Sequence, residues 1–259
     1  MKYSSLENLI EKMKSSPRVK GIFTTGTTAS KLTPSSDIDL VVVLDKNEAG
    51  IKLVYTTVEK HFSDIFFFDV DFLNQLKNKR EVFANNFEGM FLEWLIKGKI
   101  EHDPDNLLFA LKKEFSENPP LQKVDESEKR DFWVKTNYNY IANLRYYSGD
   151  DLYKKALEMR LLYSVSELIN AYFSFRGVAW RGEKAAIKYL EKNDQGFLSI
   201  FEAYSKSNSL EDKMKRYEGL FGKIFFGEYQ KWDNNFVITV SNQNQHNPKL
   251  ESFWNQLVE

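Results

Sequence analysis

The segment 37–44, DIDLVVVL, constrains the fold of this chain more than any other. Its aliphatic and β-branched residues predict a buried strand, and side chains alternate between the two faces of a strand. Asp37 and Asp39 therefore point to the same side, while Ile38 and Leu40 point into the core. Burying two unpaired carboxylates is costly, and a divalent cation removes that cost. Carboxylate oxygens without Cys or His suit Mg²⁺, which completes its shell with water and phosphate.

A polar loop precedes this strand. The apolar run before it predicts a strand over residues 19–24, which ends just before Gly26 and Thr27. Glycine lets a backbone approach a phosphate closely, and if a helix starts there, its free N–H groups and dipole face the anion. The loop and the two acids together describe a site for a metal-bound nucleotide. Its candidate nucleotide-binding residues are Gly26, Thr27 and Ser36.

Gly26 and Thr27, nine intervening residues and then Asp37 and Asp39 resemble the signature of the DNA polymerase β-like nucleotidyltransferase superfamily. That signature has a Gly-Ser or Gly-Gly pair before two acids separated by an apolar residue. Here Thr27 keeps a hydroxyl but adds a β-branch, which stiffens the loop. The resemblance covers most of residues 17–115. It implies a mixed-sheet catalytic domain, a nucleoside triphosphate substrate and two Mg²⁺ ions.

The resemblance also implies a third carboxylate on the strand that follows a crossover. Residues 63–73 predict a short strand followed by the start of a helix. Asp64, at the head of the apolar run, fits the position of a third metal ligand or of a base for the attacking hydroxyl. Asp69 and Asp71 are the competitors, with a simpler role as helix caps. The predicted catalytic and metal-binding set is Asp37, Asp39 and Asp64.

Hydrophobic periodicity predicts the other elements of the first half. Residues 5–13 have apolar side chains at helical spacing, and residues 47–62 are predicted as a crossover helix that returns the chain to the sheet. The aromatic residues of 80–97 recur at the spacing of a core helix. Residues 98–103 resemble the last strand of the catalytic domain, and residues 106–115 a helix after it.

Two adjacent prolines at positions 119 and 120 interrupt this pattern and mark the predicted domain boundary. Residues 1–118 are predicted as the nucleotidyltransferase domain and residues 119–259 as a bundle of about five helices that forms the acceptor side of the cleft. The fold class is therefore α+β. The segment 152–175 is apolar nearly all round and is expected to be a central buried helix, whereas the polar run 241–248 predicts a loop.

Two features of the helical half are candidates for chemistry. Three cations cluster around two glycines in the segment 176–184, which resembles the helical domain of small-molecule nucleotidyltransferases that modify aminoglycosides or lincosamides. On that resemblance Arg181 and Lys184 bind the nucleotide; the alternative is ordinary solvated helix ends. Glu167 interrupts an apolar helix. It is a possible general base, with a structural hydrogen bond as the alternative.

Composition narrows the class of substrate. The net charge of −1 gives no reason to expect binding to a long nucleic acid, so a small charged substrate fits better. The absence of cysteine excludes disulfides and thiolate metal sites. No apolar run approaches the ~20 residues that span a bilayer, and the N-terminus has no signal-peptide pattern, so a cytoplasmic protein is expected.

The resulting prediction is a Mg²⁺-dependent, adenylyltransferase-like enzyme. It would move an NMP from an NTP to a hydroxyl of a small acceptor such as an antibiotic and release pyrophosphate. AMP from ATP is the nucleotide expected first. Three alternatives stay open. The acceptor could be a protein or tRNA, as in a toxin-antitoxin type of system, or the chain could be a catalytically silent module that binds a nucleotide or a partner.

Overall fold

The computed structural model describes residues 5–77, 79–233, 235–240, 254, 256 and 257. The chain divides into two compact units, Met1–Lys123 and Val124–Glu259. The first contains a mixed sheet with helices and the second contains helices, which confirms the α+β class. The division into domains after residue 118 stays a prediction, and the predicted loop 241–248 lies outside the described residues. Within the described residues, no helix has both the length and the apolar character needed to cross a membrane.

The first unit is built on a five-stranded sheet. Its strands are β1 (Val19–Thr25), β2 (Ile38–Leu44), β3 (Leu53–Val58), β4 (His61–Asp69) and β6 (Lys99–His102). They lie in the order β3-β4-β2-β1-β6. β2 and β4 are parallel, while the other neighbouring strands are antiparallel. Two short strands, β5 (Glu81–Phe83) and β7 (Leu121–Lys123), pair separately in parallel. The predicted strands at 19–24, 38–44 and 98–103 are confirmed.

Helices cover both faces of this sheet. They are α1 (Leu6–Lys14), α2 (Val70–Lys77), α3 (Phe87–Lys97) and α4 (Leu107–Glu117). On one face Phe23 and Val41 pack with Phe91 of α3, whereas on the other face Ile22 and Leu40 share a core with residues of α1. Alternate residues of each strand therefore belong to different cores. The side on which a side chain lies follows from its position along the strand.

The prediction of a crossover helix over residues 47–62 was wrong. This segment forms β3, a two-residue turn at Glu59 and Lys60, and the start of β4. Both turn residues have positive φ, 52° and 71°, as a tight hairpin requires. The i, i+3 spacing of the apolar residues is coincidental, because the β-branched residues of the strand favour an extended chain. Similarly, the helix predicted from residue 80 begins at Phe87.

The described part of the second unit is mainly made of helices. The described residues contain five, as predicted: α5 (Glu126–Tyr147), α6 (Asp151–Phe175), α7 (Glu183–Asn193), α8 (Gln195–Ser205) and α9 (Leu210–Ile224). Leu161 and Leu168 of α6, Phe197 of α8 and Tyr217 of α9 are fully buried in one core. The expectation that α6 is buried all round was wrong, since Leu162 on the same helix is 76% exposed. A helix that is apolar on most sides can still have a solvent-facing side.

Candidate active site

The loop after β1 is a series of turns. Gly26 has φ +58°, a left-handed conformation that favours glycine, and the amide of Ala29 donates to the carbonyl of Thr25 (3.3 Å). No helix forms at this loop. A helix dipole therefore does not contribute to anion binding here, and the phosphate argument depends on the close approach of backbone at Gly26.

Thr28 attaches this loop to the start of β2. Its hydroxyl accepts a hydrogen bond from the amide of Asp39 (2.9 Å) and donates to the carbonyl of Asp37 (3.4 Å). The two acids and the glycine loop are thereby held as one local unit. Sequence reasoning missed Thr28. The sequence did offer one indication of its role, because Thr28 is a second hydroxyl residue directly after the Gly-Thr pair.

Gly26 lies directly beside the carboxylate of Asp39. A methyl group built at Gly26 would lie 2.5 Å from Asp39 Oδ2, closer than non-bonded atoms allow. The absence of a side chain at this position is therefore what leaves room for the carboxylate. Gly26 and Asp39 therefore lie side by side, as their spacing in the sequence suggested.

The structure brings Asp64 into line with Asp39. Thr25 of β1 is the register partner of Asp39 in β2, and Asp39 is the register partner of Asp64 in β4. Register partners on adjacent strands point to the same face. The row Thr25, Asp39, Asp64 thus crosses three strands on the face that packs against α3.

Asp64 is in an unusual electrostatic environment. Burial raises the pKa of its carboxyl group, and the nearby negative charge of Asp37 raises it further. Its Oδ1 atom is buried without a hydrogen-bond partner. A buried oxygen without a donor is costly, so this atom is suited to bind a cation or to accept a proton.

The other two candidates for the third carboxylate differ from Asp64. Asp69 lies at the far end of β4, where its Oδ1 accepts from the amide of Phe72 (2.9 Å) and caps α2. Asp71 is exposed in the first turn of that helix. Both residues therefore lie at the N-terminus of a helix, as the alternative role in capping predicted.

The carboxylates offer hard oxygen ligands, which hard cations prefer. In the part of the chain that the structure describes, no three His, Asp or Glu side chains form a ready-made metal cluster. The observations that favour a metal are the orphaned Oδ1 of Asp64 and the space at Gly26 beside Asp39. Oxygen donors of this kind match Mg²⁺.

Ser36 shapes the turn that leads into β2. It is buried, and its Oγ accepts from the amide of Thr33 (3.0 Å). The Nδ1 of His61 donates to the carbonyl of Ser36 (2.7 Å) and so attaches the turn to the start of β4. In this arrangement Ser36 has a structural role, and nucleotide binding by its side chain stays a prediction.

The basic candidates lie at the start of α7 in the second unit. Lys184 is exposed in the first turn, and Arg181 donates from Nη1 to the carbonyl of Trp180 (2.9 Å). The neighbouring Arg176 is structural, because it donates to the carbonyls of Tyr172 (3.2 Å) and Ile224 (2.9 Å) at two helix ends. Of the three cations, Lys184 is therefore the most accessible to a phosphate.

Glu167 belongs to a polar network between α5 and α6. Its carboxylate accepts from the amide of Asn139, and Arg160 donates to Asn139 (2.9 Å) and Asn143 (2.8 Å). Burial raises the pKa of Glu167, although the Asn139 bond and the charges of Lys135 and Arg160 act in the opposite direction. A structural hydrogen bond, the alternative considered for Glu167, is therefore present.

Comparison with known proteins identifies the first unit. Residues 6–132 match the model of the nucleotidyltransferase domain family. This part of the chain is therefore similar to nucleotidyltransferase domains, as the resemblance to the DNA polymerase β-like superfamily predicted. The chain is also similar to the crystal structure of a nucleotidyltransferase-like protein from Exiguobacterium sibiricum 255-15. That similarity has 14% identity and a TM-score of 0.40 over 84% of this chain and 73% of the other. No curated protein matches the chain.

Asp64→Asn is expected to raise the melting temperature at pH 7 in the presence of a chelator, by about 1–3 °C. The folded-state pKa of Asp64 is raised, so its protonated carboxyl group favours folding below the unfolded pKa, and this contribution is lost as pH rises through the folded pKa. The variant should therefore match the parent near pH 3 and exceed it at pH 7. Thermal unfolding as a function of pH measures the difference.

Asp71→Asn is the matched control, because Asp71 is exposed and lies in the first turn of α2. It should give no gain at pH 7, since it loses a favourable charge at a helix N-terminus. A melting temperature of Asp64→Asn below that of the parent at pH 7 would contradict the electrostatic description of Asp64.

Proposed function

We propose that this chain is a Mg²⁺-dependent nucleotidyltransferase that moves an NMP from an NTP to the hydroxyl of a small-molecule acceptor and releases pyrophosphate. AMP transfer from ATP is the first reaction to test. The observation that carries the proposal is the row Thr25, Asp39, Asp64, with Gly26 beside Asp39 at one end. It places Gly26, where phosphates can approach, next to Asp39 and then Asp64, and Asp37 lies two positions before Asp39 in the chain.

The residues divide the work of the proposed reaction. Gly26 and Thr27 would lie against the phosphates, Asp37 and Asp39 would hold the metal, and Asp64 would act as the base or as a further ligand. Bound Mg²⁺ would neutralise the charge that develops on the attacking and leaving oxygens. The acceptor oxygen forms a bond to the α-phosphorus as the bond from phosphorus to the pyrophosphate oxygen breaks.

Asp64 is the proposed acceptor of the hydroxyl proton. A general base works best when its pKa is close to the working pH. The raised pKa of Asp64 and its buried, unpaired Oδ1 favour this role over that of Asp69, whose carboxylate caps a helix. Asp64 could act as a ligand instead, and both roles require its carboxylate.

The reaction is tested by incubating the chain with labelled ATP, Mg²⁺ and a panel of aminoglycosides, lincosamides, proteins and tRNA. Pyrophosphate release and label on the acceptor are both measured, with Asp39→Asn as the blank. Transfer to a small molecule supports the proposal, whereas transfer to tRNA or protein supports the corresponding alternative. No pyrophosphate with any acceptor favours a silent nucleotide-binding module, for which the replacement of Ser or Gly by Thr27 is the motivating feature.

Nucleotide binding by Lys184 stays a prediction, and Lys184→Ala tests it: a lost charge-assisted contact to a phosphate would raise KM for ATP about 10-fold. Lys188→Ala on the same helix is the control, since Lys188 is also exposed and lies one turn later. Initial rates over a range of ATP concentrations separate KM from kcat. Equal KM values for the two variants would remove Lys184 and its neighbour Arg181 from the nucleotide site.

A further inference from the structure

Two aromatic side chains are stacked in the open at the edge of the sheet. Tyr55 is 65% exposed and Phe62 is 56% exposed. Their ring centroids are 5.7 Å apart and their planes differ by 23°. Single exposed aromatics are common on protein surfaces, whereas in a stacked pair the outer face of each ring stays open and can stack on a ring of a ligand.

This pair lies beside the carboxylates. Tyr55 of β3 is the register partner of Asp64, so the row Thr25, Asp39, Asp64 continues to Tyr55 on the fourth strand. Phe62 precedes Asp64 by two residues on β4 and therefore lies on the same face. Adjacent strands are about 4.8 Å apart, which places Tyr55 next to Asp64 on the side away from Gly26, while the stacked Phe62 lies two residues before Asp64 on β4.

The direction of the proposed reaction decides what binds there. In an in-line displacement the attacking oxygen approaches opposite the leaving group. With the phosphates at Gly26, pyrophosphate leaves towards β1, and the acceptor must approach from the side of Asp64 and β3. Tyr55 and Phe62 are therefore on the side of the acceptor and not on the side of the triphosphate.

We propose that Tyr55 and Phe62 form the acceptor subsite, which binds a flat or apolar ring close to the reacting hydroxyl. This inference rests on the proposed function and names its substrate class, a ring-bearing hydroxyl compound. A cationic group on that compound adds to binding, because aromatic faces attract cations. Thr57, the register partner of Phe62, is a further polar residue on the same face.

The subsite is tested with tyramine, a phenol with an ammonium group, and with ethanolamine, which has the hydroxyl and the ammonium group but no ring. Binding is measured by NMR titration of the full chain with Mg²⁺ and a non-hydrolysable ATP analogue, so the readout does not depend on activity. The variants are Tyr55→Ser combined with Phe62→Ser, and Tyr55→Phe, which keeps the ring. The control is Phe109→Ser, because Phe109 is equally exposed, at 59%, on α4.

The parent, Tyr55→Phe and Phe109→Ser should bind tyramine alike, and ethanolamine should bind at least about 10-fold more weakly. The double variant should lose about 10-fold in tyramine affinity while its affinity for the ATP analogue stays unchanged. Three results would overturn the subsite: no tyramine binding by the parent, equal affinity in the double variant, or loss of the analogue instead of tyramine. The third result would assign the pair to the nucleobase.

The two proposals fail in different ways. A parent chain that releases no pyrophosphate with any acceptor refutes the proposed function, whatever the tyramine titration gives. Equal tyramine affinity in the parent and the double variant refutes the subsite and leaves the transferase reaction untouched. For an acceptor that is modified, the double variant should raise the acceptor KM about 10-fold and leave KM for ATP unchanged.

Discussion

Asp39→Asn should lower the rate of nucleotide transfer by about 10³-fold or more while leaving the free energy of unfolding within about 1 kcal/mol of the parent. The amide has the shape of the carboxylate but not its charge, so it binds a divalent cation poorly. The hydrogen bond from position 39 to Thr28 involves the main-chain amide and is kept. Steady-state transfer with Mg²⁺ and ATP, together with thermal unfolding, checks both halves of this expectation.

Asp69→Asn is the control for loss of a carboxylate on the same sheet. Asp69 caps α2 through the amide of Phe72, and Asn keeps an oxygen that can accept this bond. Its replacement should therefore cost only the favourable charge at the helix N-terminus, about 0.3–1 kcal/mol, and leave transfer intact. Mg²⁺ should raise the melting temperature of the parent and of Asp69→Asn, but not that of Asp39→Asn. If Asp39→Asn transfers nucleotide as fast as the parent, the metal assignment is wrong.

The site could be predicted from the sequence wherever the information was local. The spacing of Asp37 and Asp39 on a run of β-branched residues defines a strand with both acids at its start. The spacing of residues along the chain does not tell which acid of a neighbouring strand lies opposite Asp39; the strand register does. That Asp64 and not Asp69 lies opposite Asp39 depends on the parallel pairing of β2 with β4, which is a tertiary fact.

The segment between these strands shows why periodicity failed. Ile51, Val54, Tyr55 and Phe62 fit helical spacing, yet they are exposed, at 43%, 38%, 65% and 56%. A helical stripe would bury them together, whereas in the hairpin β3–β4 only Val58 of the predicted stripe is buried. The turn at Glu59 and Lys60 has no glycine or asparagine, so the usual signal of a two-residue hairpin is missing.

Contacts between distant side chains could not be predicted either. The hydroxyl of Thr28 binds the amide of Asp39 across eleven positions, and no pattern of residues specifies that bond. Likewise, the polar strip at Glu167 was visible in the sequence, but its partner Asn139 lies on another helix. Residue types identified the candidates, and packing determined their partners.

Gly26→Ala should lower transfer by about 10²-fold, although the variant folds. Two effects act on this position. The left-handed φ of +58° is unfavourable for alanine by about 1–2 kcal/mol, and the new methyl group would lie 2.5 Å from Asp39 Oδ2. The clashing atom is the end of a flexible side chain, so the carboxylate can move away at little cost in stability. Moving it by about 1 Å from its place is enough to cost about 10²-fold in rate.

Gly50→Ala separates these two effects. Gly50 has almost the same conformation, φ +63°, but no atom lies within 4 Å of the position that its methyl group would occupy. Both variants should therefore lose similar stability, about 1–2 kcal/mol, in denaturant unfolding. Only Gly26→Ala should lose transfer, and its binding of Mg²⁺, measured by the rise in melting temperature, should weaken as well. Equal activity of the two variants would mean that the space beside Asp39 has no part in catalysis, and Gly26 would then be conformational alone.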